Sequence, residues 1–76
     1  MSRRLPSVTT DEILRALQRG GWHIARQKGS HAQLKHPSRP GLVTVPRHSG
    51  MTLNPFLVRS ILAQAGMTED DLRGLL

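Results

Sequence analysis

The side chains able to do chemistry gather in one run, "RQKGSHAQLK", which holds Arg26, Lys28, Gly29, Ser30, His31 and Lys35; Arg47 and His48 follow in "PRHSG". Three chemistries are open to such a set. A metal site is disfavoured: His23, His31, His36 and His48 form no i, i+4 helical pair and have no flanking Cys or carboxylate, the partners that divalent sites recruit. The chain has no cysteine, so thiolate ligation and disulfides are excluded and no cofactor is expected. Serine catalysis through Ser30 and His31 is equally poorly supported. Neighbours on an extended strand point to opposite faces, and the orienting acid of a triad is missing. Metal-free cleavage of RNA asks for less. The attacking 2′-hydroxyl belongs to the substrate, so the protein must supply only a proton carrier and cations. Histidine has the ordinary pKa for the first role. Arg26, Lys28, Lys35 and Arg47 offer the second, binding phosphate and offsetting developing charge. On residue chemistry alone, passive RNA binding still ranks above catalysis, because an exposed strand histidine is more often inert.

The charge distribution points to a polyanion. The chain of 76 residues carries eleven Lys and Arg against five Asp and Glu, a formal net charge of +6. All five acids lie near the ends: Asp11 and Glu12, then Glu69, Asp70 and Asp71. Between Ile13 and Thr68 stand eight basic residues and no carboxylate side chain. An unopposed basic middle attracts nucleic acid or an acidic protein. The length fits one domain, residues 1–76, with a modest core. "MSRRLPSVTTDE" lacks the apolar region of a signal peptide, and no apolar run approaches a membrane span, so a cytoplasmic protein is expected.

The elements that position these side chains are marked by their ends. Thr9 and Glu12 fit a capping box, Ile13, Leu14 and Leu17 recur at helical spacing, and Gly20-Gly21 stops the helix, giving a span of about 10–19. From 22 to 47 the period changes to two. "GS" at 29–30 and "HPSRPG" at 36–41 are turns, and the pattern predicts a three-stranded antiparallel meander. Alternation sets His31, Gln33 and Lys35 on one face and Ala32 and Leu34 on the other. The stretch 47–53 reads as a loop. Asn54-Pro55 opens a second helix with Val58, Ile61, Leu62 and Ala65 as its core stripe; Gly66 ends it, and Thr68 with Asp71 caps a last short helix. Trp22 reads as core, and Phe56 as core or interface. The order α-β-β-β-α-α predicts an α+β two-layer sandwich, with helices on one face of the sheet.

In this order, "LPSVTTDEILRALQRGGW", "RQKGSHAQLKHP", "VTVPRHSG" and "LNPFLVRSILAQAGMTEDDL" resemble the HicA toxin family, the mRNA interferases of HicAB toxin–antitoxin systems. The resemblance runs from about Leu5 to Leu75. It implies a double-stranded-RNA-binding-domain-like fold and metal-independent endoribonuclease activity on mRNA, with His31 as the essential histidine. Lys28, Gly29, Ser30, Lys35, Arg26, Arg47 and His48 are then the candidate RNA contacts, Lys28 first among them; His48 is also a candidate second proton carrier. Two positions depart from the family pattern. Ala32 stands where a second histidine is frequent, and "HSGMTL" replaces the typical "HGNKEL", removing a charged pair. The resemblance further implies a HicB-type antitoxin covering the basic face, and a toxin that is monomeric when free. The rival reading is a non-catalytic RNA-binding or antitoxin-binding module on the same fold. Retention of "GSH" argues against it.

Overall fold

The computed structural model describes residues 7–47 and 50–76. The elements run β1 (Val8–Thr9), α1 (Thr10–Arg19), β2 (His23–Lys28), β3 (His31–Lys35), β4 (Val43–Pro46), β5 (Thr52–Leu53), α2 (Pro55–Ala65) and α3 (Glu69–Leu75). Strands β2, β3 and β4 form an antiparallel sheet in that order. Helices α1 and α2 pack on β4, and α3 rests on both helices. The result is the small α+β sandwich that the pattern predicts.

Each helix begins where the sequence places a cap. Thr9 Oγ1 accepts from the Glu12 N–H at 3.2 Å while Glu12 Oε1 accepts from the Thr9 N–H at 2.9 Å. Thr68 and Asp71 repeat that reciprocal pair at α3, at 2.9 and 3.0 Å. At α2 the Asn54 Oδ1 accepts from the Leu57 N–H at 2.9 Å, with Pro55 at the first helical position, where no amide is needed. Gly66 closes α2 in the left-handed conformation at φ 66°.

The core lies between the layers. Ile13, Ala16 and Leu17 of α1, Ala32 and Leu34 of β3, Val43 and Val45 of β4, Val58 and Ile61 of α2 and Leu72 of α3 are almost wholly buried, with Trp22 beside them. His36, just after β3, ties the layers together. Its Nε2 lies 3.1 Å from the Gly20 carbonyl at the end of α1, and its Nδ1 accepts from the Ser38 N–H at 3.1 Å. A carbonyl only accepts, so Nε2 carries the ring proton. The imidazole also meets Trp22 edge-on, with ring centroids 5.2 Å apart.

Three expectations need correction. The segment 47–53 is not all loop: Thr52 and Leu53 pair antiparallel with Thr9 and Val8 to make a separate two-stranded sheet. The amide of Thr10 extends this junction by donating to the Met51 carbonyl at 2.9 Å. Simple alternation also fails in β2. There Ile24 faces Leu34 and Arg26 faces Gln33, so Ala25 is an extra residue in a β-bulge. Finally, of the two readings of Phe56, core or interface, the first is excluded, since the side chain is 81% exposed. It precedes Val58 by two residues, about 200° around the helix, which turns it away from the buried stripe.

Candidate functional site

The candidate site is built on the β2–β3 hairpin. Lys28 ends β2, His31 begins β3, and the two are cross-strand partners across the turn Gly29-Ser30. Gly29 has φ 56°, the positive value that a II′ hairpin turn takes at its first central position, and this requirement explains the glycine. A Cβ there would meet no atom within 4 Å, so the space over the turn is open. Arg47 braces the turn from the next strand, its amide donating to the Ser30 carbonyl.

One side chain outside the sequence-derived set completes the brace. Gln27 Nε2 donates to the Gly29 carbonyl at 3.0 Å, and its Oε1 accepts from Arg47 Nη1 at 3.2 Å. A single amide thus joins the turn to a guanidinium twenty residues away. The local signal is weak: a glutamine two residues before a Gly-Ser turn.

Cross-strand partners share a face of the sheet. His31 therefore lies on the side of Lys28 and Pro46, while Gln33 lies with Arg26 and Thr44, and Lys35 with His23. This outer face is opposite buried Ala32 and Leu34. His31, Lys28, Arg26 and Lys35 are all exposed on it. The grouping is uneven. Lys28 is directly opposite His31, and Arg26 is one pair further along. Lys35 is four residues from His31 on the same strand, about 13 Å away at strand rise. His48 lies outside the described residues.

The other cations sort themselves by partner. Arg39 Nη1 donates to the Ala65 and Gly66 carbonyls at 3.0 and 3.2 Å, closing the end of α2. Arg19 Nη1 donates to the Leu75 carbonyl at 2.6 Å, and Arg59 pairs with Glu69 at 3.5 Å. These three basic residues therefore serve structure. Among the described residues, Arg26, Lys28, Lys35 and Arg47 form no ion pair with a carboxylate. Glu12 and Asp71 are held below the ordinary carboxylate values, chiefly by the backbone N–H of Thr9 and of Thr68; both acids are thus committed to helix starts.

Among the described residues, no three His, Asp or Glu side chains gather as a metal would require. No helix among them is long and apolar enough to cross a membrane. Directly opposed residues of an antiparallel pair have Cβ atoms about 4.5–5.5 Å apart, so Lys28 and His31 are close enough to meet one phosphate-sized group.

A family model described as the HicA toxin of bacterial toxin-antitoxin matches residues 10–67. The chain belongs to the HicA toxin family. The match spans α1, the whole β2–β3–β4 sheet and α2, and ends before α3. Among curated proteins no significant match is found. HicA membership makes the chain the toxin side of a toxin–antitoxin pair and implies an antitoxin partner.

Proposed function

We propose that this HicA-family toxin is a metal-independent endoribonuclease that cleaves mRNA, with His31 as its general acid/base. The observation that carries the reading is the Lys28–His31 pair, exposed on a face opposite the core and closed by a two-residue turn. In the reaction, the 2′-oxygen of the substrate attacks the adjacent phosphorus and loses its proton to a base. The bond from phosphorus to the 5′-oxygen breaks, and that oxygen takes a proton as it leaves. The products are a 2′,3′-cyclic phosphate and a 5′-hydroxyl. His31 supplies one of the two proton transfers. Lys28 holds the phosphate and offsets the charge of the phosphorane, and Arg26 and Arg47 bind the flanking backbone. Gly29 and Ser30 bring the turn close to the RNA, and Lys35 meets a phosphate further along the face. His48 is the candidate second proton carrier.

A HicB-type antitoxin silences the toxin by covering this face. Complementary charge on such a partner would speed its association. When free, the 76-residue chain is a single monomeric domain. Cleavage of single-stranded RNA in EDTA tests the activity. Wild-type protein should cut and leave 2′,3′-cyclic phosphate ends, and His31→Ala, shown folded by circular dichroism, should lose about 10²–10⁴-fold in rate. RNA bound equally by both proteins and cut by neither would instead make the chain a non-catalytic RNA-binding module.

A further inference from the structure

A crevice of about 270 Å³ lies between α1 and β2, lined by Asp11, Leu14, Arg15, Gln18, Ile24 and Arg47. Arg47 connects it to the hairpin: its guanidinium bonds Gln27 and its amide bonds Ser30, next to His31. The lining is mixed in an informative way. Leu14 is buried and Ile24 half-buried against the core, so they supply an apolar floor. Arg15, Gln18, Arg47 and Asp11 complete the lining with two guanidinium groups, an amide and a carboxylate. A phosphate would suit the arginines but not the apolar floor, and the Asp11 carboxylate would repel it. A nucleobase satisfies every group. Its faces rest on aliphatic side chains and stack on guanidinium planes, and its edge offers donors and acceptors.

We propose that this crevice, on the helix-bearing side of the hairpin, is a base-binding subsite that takes one unstacked nucleobase of an RNA whose backbone crosses the β2 margin from Lys28 and His31, and that it favours guanine. The preference follows from Asp11. Guanine presents its N1–H and N2–H side by side, which one carboxylate accepts together. Uracil has a single imide N–H flanked by two carbonyl oxygens, which a carboxylate opposes. Gln18, one turn beyond Leu14 on the same helix, can both donate to and accept from the remaining edge. The subsite rests on the ribonuclease reading only in taking RNA as the ligand.

The test is binding of 2′-fluoro pentanucleotides, which lack the attacking hydroxyl and cannot be cut. One carries a central guanosine among uridines and the other is all uridine. Wild-type protein should bind the guanosine oligonucleotide about fivefold or more tightly, as a bidentate base contact gives. Amide NMR shifts should appear at Arg15, Gln18 and Ile24. Asp11→Asn should bring the two affinities within about twofold of each other, and Gln18→Ala should narrow the gap independently. Equal binding of both oligonucleotides by wild-type protein would overturn the subsite. So would a guanosine preference that survives both substitutions, or a crevice that perturbs antitoxin capture while ignoring the base. Failure of natural RNA to be cut would leave these binding results standing, so the two readings fail separately.

Discussion

At the scale of single residues, the decisive feature is that Lys28 and His31 are cross-strand partners on either side of a two-residue turn. A lysine is a point charge on a flexible stem, so it can hold a phosphate without reading a base. Lys28→Gln should therefore weaken RNA binding about equally across sequences and reduce the slope of log affinity against log salt by about one. A filter-binding series over salt concentration measures both, and a sequence-dependent loss would contradict the role. This much of the site was legible because a Gly-Ser step beside a lysine and a histidine marks a hairpin with its own geometry. Gln27 was not legible. Its importance comes from Arg47, twenty positions away, and nothing local announces that partner.

At the scale of elements, the helices start on hydrogen-bonded carboxylates. Glu12 and Asp71 sit below their ordinary values of 4.5 and 3.8 because a backbone N–H at each N-cap favours the ionised form. A lowered folded value means stabilisation that is complete above the ordinary value and disappears as pH falls through the lowered one. Helical circular dichroism should therefore hold down to about pH 4.5 and decline below it. Glu12→Gln and Asp71→Asn should flatten that decline; an unchanged profile would show that the caps do not control it. These caps were readable because Thr-x-x-Glu and Thr-x-x-Asp state their own chemistry. β1 and β5 were not, since two-residue strands are too short to show a period. The bulge at Ala25 escaped for a related reason: a single extra residue looks like ordinary alternation until a partner strand fixes the register.

At the scale of the whole molecule, the layers are joined at His36, and Gly21 leaves room for that joint. Gly21 has φ 99°, and a Cβ there would lie 2.6 Å from His36 Nε2. Gly21→Ala should therefore cost about 1–3 kcal/mol and lower the melting temperature by roughly 4–8 °C per kcal/mol. Thermal denaturation measures this, and RNA cleavage per folded molecule should stay unchanged because the hairpin lies at the other end of β3. The sheet's two margins have a consequence for a chain this basic and this small. An open strand margin invites pairing with another chain and ends in aggregation. Along β4 the outward amide of Thr44 is taken by Gln64 Oε1 at 3.0 Å, and Pro46 offers no amide at all. Along β2 the bulge kinks the strand and Arg26 and Lys28 repel a like-charged neighbour. Both margins thus resist stacking into fibrils, which guards a toxin parted from its antitoxin against edge-to-edge aggregation.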